Sequence, residues 1–228
     1  MNTVFPPPPQ PVASVAGTER LYPVRRIFCV GQNYAAHARE MGSDPTRSEP
    51  CFFTKPGYAV VKSGETIAFP PMTSNLHYEI ELVAALGGGG TDIAVNQALD
   101  HVFGYAAGID LTRRDLQAAA KKAGQPWDMA KGFDRSAPLG AIAPVSAVGH
   151  PDKGGIRLAV NGILRQNSDL SDMIWSVAEI IARLSQFVEL QAGDLIFTGT
   201  PAGVGPIQPG DQLEGTITGV GSVGLTVT

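Results

Sequence analysis

Short apolar runs and apolar–polar alternation cover most of the chain, and glycine or proline often separates one run from the next. Alternation with a period of two, and short apolar runs bounded by turn residues, are typical of β-strands. The pattern predicts strands over 24–30, 51–54, 59–67, 78–86, 102–110, 156–161, 194–198, 212–218 and 222–228. Asn161-Gly162 adds the signature of a hairpin turn.

Two short helices are predicted between these strands. One covers residues 34–41, with Asn33 as its N-cap. The other runs from Thr112 to Lys122, because Thr112 and Asp115 resemble a capping box.

A third helix has the clearest signal of the chain. It is predicted over 176–188, where Ser176 and Glu179 form a capping box and apolar residues recur at helical spacing. Many strands and few helices predict an α+β, β-rich fold, a mixed β-sandwich or roll with a few short helices.

The composition narrows the range of partners. The chain has 228 residues, of which 43% are hydrophobic and 17% charged, and its net charge is −4. This charged fraction is low, which predicts that part of the surface is buried in an oligomer. No basic patch favours nucleic acid as a partner, and no apolar run is long enough to cross a membrane.

The N-terminal segment differs from the rest of the chain. Residues 1–23 contain a run of four prolines and are predicted to form an extended, proline-rich arm before a single larger domain over 24–228. The segment has no signal-peptide pattern, so a cytoplasmic location is predicted. Cys29 and Cys51 lie in apolar runs without zinc-ligand spacing and are predicted to be buried, inert thiols.

Three carboxylates form the most informative pattern. Glu79 and Glu81 are two residues apart, so a strand places them on one face, and Asp110 ends another predicted strand. Carboxylates this close repel each other unless a cation lies between them. On neighbouring strands the three would form an all-oxygen site for Mg2+, Mn2+ or Ca2+. The alternative is that Glu79 and Glu81 line the solvent face of an ordinary amphipathic strand.

Two further groups suit chemistry at such a site. His37 and Glu40 are three residues apart on a predicted helix, where the carboxylate can orient the imidazole to take a proton from water. Lys131 lies among apolar residues and glycines and could bind an oxygen of a metal-bound substrate. The alternatives are a partly exposed histidine with an ordinary helix neighbour, and a surface lysine.

A glycine- and proline-rich loop over 198–206 follows a predicted buried strand. Its amides and two hydroxyls could hold an anion, or the loop could be a purely structural turn. It lacks the lysine and the spacing of a phosphate-binding loop, so nucleotide binding is not predicted.

In combination, these segments resemble the fumarylacetoacetate hydrolase superfamily, in the family's order over residues 24–228. The matching motifs are Gly31-Gln-Asn-Tyr-Ala-Ala-His37-Ala-Arg-Glu40, Phe53-Thr-Lys55-Pro56, His77-Tyr-Glu79-Ile-Glu81-Leu82, Gly108-Ile-Asp110-Leu-Thr112, Asp115-Leu-Gln117, Pro126-Trp-Asp-Met-Ala-Lys131-Gly-Phe-Asp134, Val160-Asn-Gly162 and Thr198-Gly-Thr-Pro-Ala-Gly-Val-Gly205. The proline-rich arm and Tyr22-Pro-Val-Arg-Arg26 further resemble the fumarylpyruvate hydrolases of bacterial gentisate degradation.

The resemblance implies a fold of the fumarylacetoacetate hydrolase catalytic-domain type, a homodimer, and one Mg2+ or Mn2+ ion per subunit. The implied site residues are His37, Glu40 and Lys131 as catalytic groups, Arg114, Gln117 and Thr200 as substrate contacts, and Glu79, Glu81 and Asp110 as metal ligands. Gln32 departs from the arginine of many relatives, which weakens any anion contact from that position.

The resemblance also implies metal-dependent hydrolysis of the C–C bond of a small 2,4-diketo acid, such as 3-fumarylpyruvate, to fumarate and pyruvate. Alternatives on the same fold are decarboxylation of oxaloacetate and isomerisation or decarboxylation of 2-hydroxy-dienoates. A non-catalytic protein that binds a small anion is a third alternative. The His37–Glu40 pair favours hydrolysis, since decarboxylation needs no activated water.

Overall fold

The structure, a computed structural model, describes residues 3–42 and 49–228. Its strands are short, and most of them fall where apolar alternation predicts them. In chain order they are β1 (Val12–Ser14), β2 (Leu21–Pro23), β3 (Arg26–Gly31), β4 (Cys51–Pro56), β5 (Val60–Lys62), β6 (Thr66–Ile67), β7 (Leu76–Tyr78), β8 (Ile80–Leu86), β9 (Val102–Ile109), β10 (Thr112–Arg113), β11 (Ala137–Leu139), β12 (Ala143–Pro144), β13 (Gly155–Val160), β14 (Ile163–Asp169), β15 (Asp194–Phe197), β16 (Gly205–Ile207), β17 (Gln212–Ile217) and β18 (Gly221–Val227).

Helices are few and short in the described residues. They are α1 (Ala35–Glu40), α2 (Arg114–Ala123), α3 (Asp128–Lys131), α4 (Val145–Val148) and α5 (Val177–Leu184), with 3-10 helices at Gly57–Ala59, Val95–His101 and Leu170–Asp172. No helix among these residues combines the length and the apolar character needed to cross a membrane.

An eight-stranded sheet forms the centre of the molecule. Its order is β4-β3-β15-β8-β9-β11-β5, and β12 pairs with β9. β8 is antiparallel to both β9 and β15, whereas β15 and β3 are parallel. Every residue of β8 is buried, so both faces of the sheet are covered there. Alternate residues of β8 accordingly join two different apolar clusters, Ile80 and Leu82 in one and Val83 and Ala85 in the other.

A second sheet, of order β14-β13-β17-β18-β6, covers one face of the first. The two sheets approach closely, since a Cβ added at Gly215 of β17 would lie 2.4 Å from Cδ1 of Ile80. A larger residue at position 215 would displace the end of the Ile80 side chain. The resulting two-sheet arrangement with a few short helices confirms the predicted β-rich fold class.

A small third sheet brings distant segments to the start of β8. β7 pairs on one side with β10 and on the other with β16, so that His77 faces both Thr112 and Pro206. This pairing places the beginning of α2 and the end of the glycine-rich loop beside the carboxylate-bearing strand.

The N-terminal segment packs on the second apolar cluster. β1 and β2 pair antiparallel, and Ala13 and Tyr22 are buried in that cluster. The Tyr22 hydroxyl lies 2.7 Å from the carbonyl oxygen of Leu86 and 3.0 Å from that of Asp194. The division between an arm and a domain after residue 23 stays a prediction.

Two predicted helix caps are wrong. Tyr34 is the N-cap residue of α1, and the Asn33 amide instead donates to backbone carbonyls, including that of Thr198. Arg113 is the N-cap residue of α2, without a side-chain cap, because the Thr112 hydroxyl belongs to the site described below. A buried polar partner outcompetes a local cap in both cases.

Some of the other local predictions are confirmed and others are wrong. The capping box of Ser176 and Glu179 is confirmed, although α5 ends at Leu184 rather than at residue 188. Cys29 is buried as predicted, but Cys51 is exposed, so its prediction is wrong. Cys51 is the first residue of an edge strand, where the apolar run gives no cover. The polar, proline-interrupted stretch 43–50 is predicted from its sequence to be a loop, and most of it lies outside the described residues.

Candidate active site

The carboxylates of Glu79, Glu81 and Asp110 converge where β8 begins and its antiparallel partner β9 ends. One oxygen from each lies within 4.8 Å of the others, and all three residues are buried. The backbone N–H of Asp110 donates to the carbonyl of Glu79 at 2.8 Å, which continues the antiparallel register of the two strands. The two-residue spacing keeps Glu79 and Glu81 on one side. Neighbouring strands therefore assemble the cluster, as the sequence pattern predicts.

Two cations neutralise Glu79. Lys131 Nζ lies 2.7 Å from Glu79 Oε2, 2.6 Å from Asp110 Oδ2 and 2.6 Å from the Thr112 hydroxyl, while Arg114 forms an ion pair with Glu79 Oε1. Burial raises the pKa of Glu79, but Lys131 and Arg114 outweigh it and hold that pKa well below its usual range. Glu79 is therefore ionised. Lys131 is not the surface lysine of the alternative interpretation, since only 2% of it is exposed.

Lys55 is a second buried lysine at the cluster. Its Nζ lies 2.7 Å from Asp110 Oδ1 and donates to the carbonyl of Leu111 at 3.1 Å. The position within β4 is fixed by pairing of Lys55 with Ile27 of β3. Sequence reasoning did not assign Lys55 to the site. The available signal is a lysine inside an otherwise apolar run, since a buried lysine requires an acidic partner.

The donor set fits a divalent cation. Glu81 has no ion-pair partner among the described residues, and its Oε2 accepts only the N–H of Gly199, at 2.8 Å. Burial, with the adjacent charges of Asp110 and Glu79, raises the pKa of Glu81 well above its usual value. Asp110 Oδ1 forms an ion pair with Lys55 Nζ at 2.7 Å but no hydrogen bond of normal geometry among the described residues. An all-oxygen set of three buried carboxylates suits Mg2+ or Mn2+, and a bound cation would favour the ionised form of Glu81.

His37 and Glu40 form a pair on α1 beside this cluster. His37 Nδ1 lies 3.0 Å from Glu40 Oε2, and only 5% of His37 is exposed. The backbone N–H of Gly203 donates to the same carboxylate at 3.1 Å and 3.2 Å. Gly203 belongs to the glycine-rich loop, so that loop holds Glu40, and Glu40 in turn orients the imidazole.

α2 contributes Arg114 and Gln117 from one face. Arg114 Nη1 donates to Gln117 Oε1 at 2.6 Å, and Gln117 is buried. Arg114 Nε also approaches His77 Nδ1 at 3.4 Å. Burial, then the charge of Arg114, lowers the pKa of His77 to about 4, so His77 is neutral. His77 thus supports Arg114 rather than the carboxylate cluster.

Thr200 is held in the glycine-rich loop by a residue that sequence reasoning missed. Gln166 of β14 is fully buried; its Nε2 lies 2.8 Å from the Thr200 hydroxyl and its Oε1 accepts from the N–H of Ile80. Gly199 has φ of 96°, and a Cβ there would lie 2.6 Å from that of Asn33. A left-handed, crowded position of this kind requires glycine. No local motif around Gln166 distinguishes it from its polar neighbours.

One cavity gathers the predicted residues. Its walls include all of the predicted site residues except Glu40 and Asp110, which lie behind His37 and Lys131. The walls also include Gln32, Phe53, Lys121 and Trp127. The structure therefore brings all nine predicted residues into one connected site, whose cavity is also lined by the aromatic rings of Phe53 and Trp127.

Comparison with known proteins identifies a matching family model and several similar proteins. Residues 26–228 match the family model of the fumarylacetoacetate (FAA) hydrolase C-terminal domain. A fumarylpyruvate hydrolase of Ralstonia sp is 45% identical over 184 residues, which cover 81% of this chain and 95% of that protein. The oxaloacetate tautomerase YcgM of Escherichia coli (strain K12) is 42% identical over 199 residues, covering 87% and 90%.

Solved structures agree with these relatives. The crystal structure of fumarylpyruvate hydrolase from Pseudomonas aeruginosa in complex with Mn2+ and pyruvate superposes with a TM-score of 0.97 at 52% identity. The match covers 100% of this chain and 99% of that one. With the acidic cluster described above, this likeness confirms the prediction of a divalent ion, Mg2+ or Mn2+, as cofactor.

Proposed function

The chain belongs to the fumarylacetoacetate hydrolase family, and from this premise we propose that it hydrolyses the C3–C4 bond of 3-fumarylpyruvate to give fumarate and pyruvate. One observation carries the proposal. The ring of His37, oriented by Glu40, lines the same cavity as the carboxylates of Glu79 and Glu81. A metal-binding cluster and a water-activating pair on one cavity suit hydrolysis of a chelating keto acid.

Glu79, Glu81 and Asp110 would hold a divalent ion, which would supply Lewis-acid polarisation to the keto-acid end of the substrate. The polar side chains of the cavity wall orient the same end of the molecule. Arg114 offers guanidinium N–H donors, and Thr200 offers a hydroxyl.

His37 takes a proton from water through Nε2, because Nδ1 is bonded to Glu40. The resulting hydroxide adds to C4, and the C3–C4 bond breaks. Its electron pair passes to the pyruvyl fragment as an enolate, whose charge the ammonium group of Lys131 stabilises. The proton held by His37 returns to C3, which completes pyruvate, and fumarate is the second product.

A second candidate is keto–enol tautomerisation of oxaloacetate. The observation that favours it is the relative at 42% identity that carries this activity in its name. Proton transfer between C3 and a base would use the same chelated keto acid and the same His37. Hydrolysis differs because it requires a water molecule bound to the His37–Glu40 pair and releases a second carboxylic acid.

The test compares 3-fumarylpyruvate, acetylpyruvate and oxaloacetate with Mn2+-loaded protein, following enol absorbance and product acids. We expect fumarate and pyruvate in equal amounts from 3-fumarylpyruvate, at a rate that His37→Ala lowers and His150→Ala preserves. His150 is an exposed histidine outside this cavity, bonded to Tyr105, and serves as the matched control. Accelerated enol–keto conversion of oxaloacetate without release of fumarate from fumarylpyruvate would favour the second candidate.

Three further features are part of the proposal. We propose that the protein acts as a homodimer, which the low charged fraction of 17% supports. We propose that it acts in the cytoplasm, in gentisate-type aromatic catabolism, because fumarylpyruvate is an intermediate there. Sedimentation of the purified protein tests the first of these.

A further inference from the structure

The cations of the active-site cavity differ in how they are paired. Arg114 and Lys131 both form ion pairs with Glu79. Lys121 lines the same cavity, yet it forms no ion pair with a carboxylate among the described residues. It is exposed at the mouth of the cavity. Gln32, also on the wall, carries no charge. Of the described lysines and arginines that line the cavity, Lys121 is thus the one not already paired.

The position of Lys121 relative to the carboxylate cluster follows from helix geometry. Arg114, Gln117 and Lys121 are spaced i, i+3, i+7 on α2, so they share one face of the helix. Seven residues of α-helix rise about 10 Å. Arg114 contacts Glu79 at the carboxylate cluster. Lys121 therefore lies about 10 Å along the helix from this cluster, which is close to the length of an extended seven-carbon dicarboxylic acid.

An aromatic wall joins the two ends. Lys131 Nζ lies 4.9 Å from the ring centroid of Phe53, whose ring is 5.7 Å from that of Trp127. Lys121 Nζ lies 5.0 Å from the Trp127 ring. The rings thus run from the buried lysine to the exposed one. Flat aromatic surfaces suit a planar, conjugated acyl chain, and the cation–π contact holds Lys121 at the far end.

From these observations we infer that Lys121 binds a carboxylate at the distal end of the substrate. The site then selects acylpyruvates whose planar acyl group ends in a negative charge over those that end in a neutral group. This inference rests on the proposed function, since it assumes that the pyruvyl end of the substrate lies at the carboxylate cluster. Lys121 acts on selectivity and takes no part in bond cleavage.

The test compares 3-fumarylpyruvate with crotonylpyruvate, in which a methyl group replaces the distal carboxylate. We expect Lys121→Met to lower the ratio of kcat/KM for the two substrates by roughly 10- to 100-fold, mainly through KM, since a charge-assisted hydrogen bond is lost. Lys121→Arg should retain most of the preference. Lys122→Met is the matched control, because Lys122 is the adjacent lysine on α2 and does not line the cavity. An unchanged ratio in Lys121→Met would overturn the inference.

A binding measurement separates this inference from the proposed reaction. Calorimetry with fumarate and crotonate, on Mn2+-loaded protein, needs no turnover. We expect wild-type protein to bind fumarate roughly 10-fold more tightly than crotonate, and Lys121→Met to bind both about equally. Equal affinities in wild type would contradict a distal carboxylate site even if hydrolysis is observed. If 3-fumarylpyruvate is not hydrolysed but the protein still binds fumarate more tightly than crotonate in a way that depends on Lys121, the proposed reaction is refuted and the distal carboxylate site is retained.

Discussion

The carboxylate cluster and the His37–Glu40 pair share one cavity but are held in different ways. Glu81 lies within β8, and Glu79 and Asp110 lie directly beside β8 and β9, in the middle of the central sheet, where buried lysines fix two of the three carboxylates. His37 and Glu40 lie on α1, a helix of only six residues, which the Asn33 amide and the Gly203 N–H tie to the rest. The first region is part of the core, and the second is attached to it.

The difference separates two tasks. Changes at the cluster should alter metal binding, folding stability and activity together, because buried charges lose their partners. Changes at the helix pair should alter proton transfer and leave the metal site and the fold in place.

The largest effect is expected for Glu79→Ala. It removes a metal ligand and leaves Lys131 and Arg114 without their shared carboxylate. We expect loss of measurable Mn2+ binding by calorimetry, loss of activity, and a drop in unfolding free energy of about 3–5 kcal/mol by urea titration. Near-normal Mn2+ affinity in this variant would show that the cluster is not the metal site.

His37→Ala should come next. It removes the proposed base, so kcat should fall by roughly 10²- to 10⁴-fold. Because His37 hydrogen-bonds to Glu40 and, among the described residues, to none of the three carboxylates, Mn2+ affinity and the thermal midpoint should stay close to wild type. A parallel loss of metal affinity would mean that the two regions are not independent.

Glu40→Gln should have a smaller effect. The amide can still bond to His37 Nδ1, but it cannot stabilise a positive charge on the ring. We expect kcat to fall by roughly 10- to 100-fold, as for other changes to groups that orient a catalytic histidine. A KM change with normal kcat would instead place Glu40 in substrate binding.

The smallest expected effect concerns Glu81 in metal-free protein. Because the pKa of Glu81 is raised, the folded state resists ionisation of this carboxyl group. The contribution of Glu81 to the free energy of unfolding therefore declines as pH rises above 4.5, the ordinary pKa of a glutamate. Glu81→Gln lacks this contribution. The variant should therefore become progressively more stable than wild type as pH increases above 4.5, measured by urea unfolding in EDTA. Addition of Mn2+ should reverse the order. A difference in unfolding free energy between the two proteins that does not change with pH would contradict a raised pKa of Glu81.

Periodicity was sufficient for the sheet-rich fold, because apolar alternation is a direct consequence of strands with covered faces. It also placed Glu79 and Glu81 on one side of a strand. Helix caps were less predictable. Asn33 and Thr112 have the right residue types and positions for capping, yet each binds a partner far away in the chain, the Thr198 carbonyl and Lys131 respectively. Local sequence cannot show that such a partner exists.

The same limit explains the site residues that were missed. Lys55 pairs with Asp110 across the sheet, and Gln166 joins Thr200 to Ile80 from the second sheet. Both roles arise from packing between distant segments. The family resemblance located the other residues because it carries their three-dimensional arrangement, which spacing alone leaves open.

The central claim is tested most directly by following the enol absorbance of 3-fumarylpyruvate with protein stripped by EDTA and then reloaded with Mn2+. We expect no hydrolysis by the stripped protein and recovery of fumarate and pyruvate production with about one Mn2+ per chain. Full hydrolysis by the stripped protein would contradict a reaction that depends on a divalent ion at Glu79, Glu81 and Asp110.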